Sequence, residues 1–403
     1  MQTFISVSEA RTLILEAARP MGAEEVVLAD ALGRTLAAPI VSRDDIPPFE
    51  NSAMDGYAVR AADLQDLPET LRVIEDIPAG SYPERMVEPG TCARIMTGAP
   101  MPDGADAVAP VEWTEEVEDG TVRFNQAPAA GKHVRPAAED VQRGEEVVPA
   151  GTVVTPPVLG IAATLGYAEL SVRVPPRVAV ISTGDELVDV STALGPGQIR
   201  DSNGPALAAQ VKTAGARALS PLRARDDADH IRHVIEQALG ADVLLFSGGV
   251  SVGEYDYVKQ VLDEMGMEML FWKVRQRPGK PLAFGLLQDR LIFGLPGNPV
   301  SSAMCFEQYV RPTLATMLER QTVLRPQVSA LLTAPTRKKQ GFHYFARGIA
   351  TYDDAGRLRV RDTGPQGSNL YHSVVRANCI MHLPEDLENP GPGTRVQIEW
   401  LDW

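Results

Sequence analysis

Residues 176–186 read Pro-Arg-Val-Ala-Val-Ile-Ser-Thr-Gly-Asp-Glu. The apolar run has no polar alternation, which is how a strand covered on both faces of a sheet reads, and it ends in a glycine turn carrying two carboxylates. The same form recurs downstream. Val243-Leu-Leu-Phe-Ser247 runs into Gly248-Gly249-Val250-Ser251-Val252-Gly253, and Leu291-Ile-Phe-Gly-Leu295 runs into Pro296-Gly297-Asn298-Pro299. Helical spacing covers 202–214, 228–239 and YVKQVLDEM, while ARALSPL, MLFWKV and LAFGLL read as further strands. A last helix opens at Asn298-Pro299, a good N-cap followed by proline at the first helical position. Strands alternating with helices predict an α/β domain built on a doubly wound parallel sheet.

Outward from this core the chain changes character twice. Ser6-Val7-Ser8-Glu9 forms a capping box ahead of Ala10, Leu13, Ile14 and Ala17, which predicts a helix over about residues 6–18. From about 40 to 150 the chain is rich in Pro and Gly, with short Val/Ile stretches, and reads as a mostly β module. VLGIAATLG then predicts a helix ending at Gly166. Beyond Pro326, QVSALLTA, YFARGIATY, RLRVRD and RVQIEWL are short strands separated by turn residues, implying a small β barrel or sandwich.

Composition bounds the function. The 403 residues carry a formal charge of −15, and residues 41–150 alone hold 22 acidic and 9 basic side chains. That balance excludes a protein that coats a nucleic-acid backbone. Cys92, Cys305 and Cys379 are far apart, so they offer neither a disulfide framework nor a thiolate metal site. The start lacks a basic region followed by an apolar core, and no apolar run has the length of a membrane span. The expectation is a soluble cytoplasmic protein without nucleic-acid or membrane partners.

Ligands of open α/β sheets bind outside the carboxyl ends of the strands. Any one glycine loop there is accounted for by chain reversal. Three at strand ends of one sheet favour a phosphate or nucleotide site, though neither GxGxxG nor the P-loop pattern is present. Between them, Lys273-Val-Arg275-Gln-Arg277-Pro-Gly-Lys280 places four cations in eight residues of an acidic chain, on a turn stiffened by proline. Fixed cations beside amide-rich loops suit a ligand with several anionic oxygens. Asp185, Glu186, Asp226, Asp227 and Asp256 fall at loop positions of the same sheet, where a divalent cation such as Mg2+ would reconcile them with a phosphate. One or two of these are simple helix caps, as is Asp201. His230 and His233, three apart on one helix, read as a solvent-facing pair.

PPFENSAMDGYAVR (47–60), RIMTGAPMPDGADAV (94–108), VAVISTGDELV, GQIRDSN, SGGVSVGEYDYVK, FWKVRQRPGKPLAFG and FGLPGNPVSS closely resemble, in order and across nearly the whole chain, the MoeA family of molybdopterin molybdenumtransferases, related to the E domain of gephyrin. The resemblance implies a homodimer of four-domain subunits. Residues 1–40 with 141–175 would form a discontinuous N-terminal linker and helical domain, and 41–140 an inserted mostly β domain. Residues 176–322 would form a molybdopterin-binding α/β domain like that of the adenylylating enzymes, and 323–403 a C-terminal β barrel.

The implied reaction takes adenylylated molybdopterin and molybdate, with Mg2+, and yields molybdenum cofactor and AMP. Partners so implied are the molybdopterin-adenylylating enzyme and acceptor molybdoenzymes. By motif, Asp55, Thr97, Asp140, Glu186, Asp227 and Asp256 carry over as acidic and polar active-site positions, with Glu186, Asp227 and Asp256 toward the metal. Arg135, Gly248, Gly249, Ser251, Lys273, Arg277, Lys280, Pro296, Pro299 and Ser301 carry over as the substrate and anion side, with Arg347, Ser368 and Ser373 as barrel contributions. In the family, the inserted domain with Asp55 and Thr97 meets the sheet domain of the partner subunit.

Two departures stand out: Ala138 precedes Glu139-Asp140 where members commonly have Gly, and Arg277 replaces a family Lys. Two other readings remain open, an adenylyltransferase that makes the adenylylated pterin and a non-catalytic scaffold of the gephyrin kind. Asp55, Glu186, Asp227 and Asp256 together argue against the scaffold.

Overall fold

The strand at 177–183 takes its predicted place inside an eight-stranded sheet, in a computed structural model that describes residues 1–117, 120–249 and 257–402. Ser251 and Asp256 therefore lie outside the described residues. The chain divides into two compact units, one of residues 1–38, 151–159 and 168–403, the other of residues 39–150 and 160–167.

In the first unit the sheet runs Gln2–Ile5, Glu268–Val274, Ala283–Leu287, Arg290–Leu295, Val243–Ser247, Arg177–Thr183, Arg217–Ala218, with Leu222–Ala224 also pairing Arg177–Thr183. Four neighbours around Arg177–Thr183 and Val243–Ser247 are parallel, as expected. The other side is not. Glu268–Val274, Ala283–Leu287 and Arg290–Leu295 form an antiparallel meander, so the sheet is mixed. The two-residue turn Gln288-Asp289 is too short for a crossover helix and dictates antiparallel pairing. The predicted strand ARALSPL is broken in two at Ser220-Pro221, where proline has no amide to donate. Gln2–Ile5, unsignalled in the sequence, adds a parallel edge beside Glu268–Val274.

Helix Val7–Ala17 follows with the capping box formed, the Ser6 hydroxyl accepting from the Glu9 amide. Helix Asn203–Thr213 and the long helix from Pro299 share a core with this one: Ile14, Val180, Leu207, Phe284, Phe293 and Leu314 are all buried in one cluster. Helices Ala228–Ala238 and Tyr257–Glu264 cover the opposite face over Ile181, Phe246 and Ile292. The sheet is thus doubly covered, which explains its unbroken apolar strands. The long helix is regular over Pro299–Cys305, widens to a π segment at Phe306–Val310, and resumes at Arg311–Met317.

The C-terminal strands resolve the alternative between barrel and sandwich. His343–Tyr352, Leu358–Asp362, Gln327–Leu332, Arg395–Trp400 and Cys379–Leu383 pair in a ring that closes between His343–Tyr352 and Cys379–Leu383. A sixth strand, Gln276–Arg277, joins the ring from the α/β side by pairing with His343-Tyr344.

In the second unit a six-stranded sheet runs Ala107–Pro110, Gly56–Val59, Thr91–Ile95, Glu69–Ile77, Thr121–Phe124, Thr114–Val117. Its two sides are packed by Tyr57, Val122 and Phe124, and by Ile77, Ile95 and Val108. Among the described residues no helix is long and apolar enough to cross a membrane.

Candidate active site

Two adjoining cavities open at the carboxyl ends of the parallel strands of the first unit. Pro281, Pro296 and Asn298 line both and form the partition between them.

The smaller cavity, about 380 Å3, lies between the Arg277–Pro281 turn and the barrel. Arg277, Lys280, Pro296, Ser301, Arg347 and Ser368 line it, and among the described residues no Asp or Glu does. Arg347 stands on strand His343–Tyr352 and is 1% exposed. Its Nε donates to Ser373 Oγ (3.0 Å), and Nη1 and Nη2 donate to the carbonyls of Gln366 (3.3 Å) and Gly367 (3.1 Å). Burial pulls its pKa down to about 10, so it remains charged at neutral pH. Ser373 therefore acts by orienting the guanidinium.

The four-cation segment does not act as a block. Arg275 pairs with Glu385 at 3.2 Å and donates to the Phe4 carbonyl. Lys273, at φ +71°, lays its ammonium 3.6 Å from the centroid of the Trp272 ring and does not line either cavity. Arg277, packed over Phe342, and Lys280 face the smaller cavity.

The larger cavity, about 770 Å3, is lined by Ser182–Gly184, Glu186, Asp201, Asn203, Asp226, Ser247–Gly249 and Pro296–Pro299. Gly248 and Gly249 adopt φ +101° and +63°, and a Cβ on either would collide with Thr183, so the chain passes this point only as glycine. The Glu186 carboxylate folds back over Gly184, another position a Cβ would block.

Among the described residues, Ser182 Oγ and Thr183 Oγ1 are buried without a hydrogen-bond partner. Unpaired buried hydroxyls are costly and are met most simply by a ligand. Asp201 accepts from the Gly204 amide (2.9 Å), as a cap. Asp227 is likewise the N-cap of helix Ala228–Ala238, accepting from the His230 amide at 2.8 Å, and it is Asp226 that lines the cavity.

Glu186, Asp226 and the two free hydroxyls make an all-oxygen donor set, which suits a hard cation such as Mg2+. Among the described residues no group of three or more His, Cys, Asp or Glu is placed to hold a metal alone. Such a set fits an ion that arrives with substrate phosphates better than a resident one.

Three positions went unread in the sequence. Asn203 bridges Ser247 Oγ (2.7 Å) and the Gly297 carbonyl (2.8 Å), tying two of the loops together. Gln366 accepts from the Arg347 amide (2.9 Å) and donates back to its carbonyl (3.2 Å), and Tyr344 lines the smaller cavity. The Gly-Pro-Gln-Gly turn at 364–367 was the available signal for Gln366.

The second unit gathers a separate polar group. Strand Asn51-Ser52 pairs with Val134-Arg135, and the Ser52 amide bonds the Ala99 carbonyl while its carbonyl receives the Gly98 amide. These pairings bring Asp55, Thr97 and Arg135, distant in sequence, onto one patch. Asp55 Oδ1 accepts from both the amide and the hydroxyl of Thr97, each at 2.7 Å, which holds its carboxyl below the ordinary range. Asp140 is exposed at the end of the turn carrying Ala138, which sits at φ +59°, a conformation that favours glycine.

Comparison with known proteins covers the same ground. Three family models match: the MoeA N-terminal region (domain I and II) over residues 5–166, a probable molybdopterin binding domain over 179–316, and the MoeA C-terminal region (domain IV) over 329–401. The chain is 40% identical to molybdopterin molybdenumtransferase 2 of Mycobacterium tuberculosis, and 37% identical to the molybdopterin molybdenumtransferase of Haemophilus influenzae. Each match spans 98% of both chains. Its fold is similar to a crystal structure of the molybdopterin biosynthesis MoeA protein of Pyrococcus horikoshii, with a TM-score of 0.85 at 29% identity, covering 99% of this chain and 100% of that one.

Proposed function

The chain belongs to the MoeA family and is a molybdopterin molybdenumtransferase of molybdenum cofactor biosynthesis; on that premise we propose how its two cavities divide the reaction. The smaller cavity binds molybdate, and the larger binds the adenylylated pterin together with Mg2+. The observation that carries this reading is the shared partition. A cationic cavity that is without carboxylates among the described residues adjoins an amide- and hydroxyl-rich one across Pro281, Pro296 and Asn298. An oxyanion is therefore held beside, and not within, the part of the site that carries acids.

In this reading Arg347, Arg277 and Lys280 supply fixed positive charge to molybdate, and Ser301 and Ser368 supply hydroxyls. The larger cavity receives the phosphates against Thr183 and the 247–249 turn, where the Ser182 and Thr183 hydroxyls find their missing partner. Mg2+, when bound with those phosphates, supplies the charge that lets Glu186 and Asp226 stand beside them. Release of AMP and transfer of molybdenum then occur on one continuous ligand. The Asp55–Thr97–Arg135 patch is assigned to the partner subunit's site in a homodimer.

The test is AMP release from adenylylated molybdopterin by the purified full chain with Mg2+. AMP release that requires molybdate and yields cofactor able to activate an apo-molybdoenzyme supports the reading. AMP release indifferent to molybdate, or ATP consumption with unmodified molybdopterin, would overturn it in favour of the adenylyltransferase. The dimer stands or falls on the mass in solution.

A further inference from the structure

Beneath the smaller cavity, out of reach of any ligand, lies a polar group that no role in the reaction accounts for. Gln276 is fully buried, as are Cys305 and Tyr309. The Gln276 amide is satisfied at both ends. Its Nε2 donates to the Gly279 carbonyl at 3.1 Å, and its Oε1 accepts from the Tyr309 hydroxyl. The same Nε2 lies 3.4 Å from Cys305 Sγ.

Gly279 adopts φ +87° and is packed so tightly on Cys305 and Gln276 that a Cβ there would strike both. The turn it belongs to, Arg277–Pro281, provides two of the three cations that line the cavity, Arg277 and Lys280. Tyr309 comes from the π segment Phe306–Val310, whose widened turn leaves five consecutive side chains buried. A π bulge inside a helix commonly marks a functional position. The backbone of Gln276, meanwhile, belongs to the barrel sheet, paired with His343. One residue thus ties the cationic turn to the α/β helix through its side chain and to the barrel through its backbone.

We propose that Gln276, locked by Tyr309, is a positioning residue for the oxyanion site: it sets where the Arg277 and Lys280 charges stand and touches no substrate itself. The inference rests on the smaller cavity being the molybdate site. Because cations act on an oxyanion through distance and direction, a turn freed by a missing amide bond weakens molybdate more than a ligand of the larger cavity, which the turn lines through Pro281 and with none of its cations.

Gln276→Met keeps the length of the side chain and removes both hydrogen bonds. Molybdate binding by calorimetry is expected to weaken about tenfold, the effect of one lost hydrogen bond to an anion-binding element, while AMP binding in the presence of Mg2+ stays within about twofold of wild type. Gln276→Met leaves the Tyr309 hydroxyl buried and unpaired, so its melting temperature falls. The double variant Gln276→Met/Tyr309→Phe removes the orphaned hydroxyl as well, so part of the lost melting temperature returns while the Gly279 carbonyl stays without its donor and molybdate affinity stays low. That divergence is the result a purely structural role does not give. Molybdate affinity recovering with stability in the double variant, unchanged molybdate affinity in both variants, or equal loss of molybdate and AMP would each overturn the inference. Absence of molybdate binding by the wild type would instead defeat the reading of the cavity on which the inference depends.

Discussion

At the scale of single residues, Arg347 carries the sharpest chemical statement. Among the described residues its guanidinium donates to one hydroxyl and two carbonyls, with the charge of Asp362 a weaker influence than burial, so much of its charge is left to be met by what enters the cavity. Lysine would keep the charge but could not hold the planar fork that reaches Ser373, Gln366 and Gly367 together. Arg347→Lys is expected to weaken molybdate binding about 10- to 100-fold, from the about 1.5–3 kcal/mol attached to a charge-assisted hydrogen bond. Calorimetric titration at neutral pH checks this, and a dissociation constant equal to wild type would remove Arg347 from the site. A second residue-scale consequence lies at Ala138, where φ is +59°. A left-handed non-glycine residue costs about 1–2 kcal/mol, and the greater chain entropy of glycine takes back about 0.5–1 kcal/mol. Ala138→Gly should therefore stabilise the second unit by about 0.5–1 kcal/mol, seen as a rise of a few degrees in its unfolding temperature. A fall would mean the turn has a different requirement.

At the scale of elements, one position separates a site residue from a structural one. Asp226 lines the larger cavity, whereas Asp227 caps helix Ala228–Ala238. Asp227→Ala should lower stability by about 1 kcal/mol, the ordinary cost of a lost N-cap, and Asp226→Ala should leave stability nearly unchanged while raising the Mg2+ concentration needed for AMP binding. Paired melting curves and Mg2+ titrations decide between them, and the reverse pattern would exchange the two roles. Sequence alone placed both at loop positions, and the family resemblance put Asp227 in the site; the cap was not legible, because it is fixed by an amide three residues on, in a helix whose start sequence defines only to within a residue or two. The same limit explains the rest of what was legible. Strands 177–183, 243–247 and 290–295 could be read because burial on both faces leaves a continuous apolar run. The mixed direction of the sheet could not, since the turn Gln288-Asp289 decides it. Four cations in one loop were legible, but which of them face the ligand depends on Glu385 and Trp272, partners that only folding supplies. The π segment has no sequence signature at all.

At the scale of the whole molecule, a buried polar chain ties the start of the sequence to its end. Arg11 of the first helix bonds Gln308 of the π segment, and Gln308 donates to Glu399 Oε2 at 2.9 Å. Glu399 Oε1 lies 3.0 Å from His382 Nε2, and His382 Nδ1 lies 3.3 Å from His343 Nε2. Burial, with the neighbouring charge of His382 and smaller contributions from Arg11 and Lys338, holds His343 down to about 3, against an ordinary 6.5. Burial alone would raise Glu399, but the bonds from His382, Gln308 and Gln327 outweigh it and bring the carboxyl to about 2, against an ordinary 4.5. Both shifts act with the same sign. As pH falls through 6.5 the unfolded chain takes up a proton at His343 that the folded chain refuses until about pH 3, so stability is lost across that interval. Below 4.5 the unfolded chain also protonates Glu399 first, which adds to the loss down to about pH 2. The melting temperature of the first unit should therefore decline on acidification from pH 7 to 5, before carboxylates contribute. In His343→Gln, which cannot titrate, the decline over that interval should be shallower. The difference between the two slopes isolates His343 from every other histidine in the chain. Parallel curves for wild type and variant between pH 7 and 5 would show that His343 titrates freely, and that the polar chain joining the two ends of the sequence opens well before the fold does.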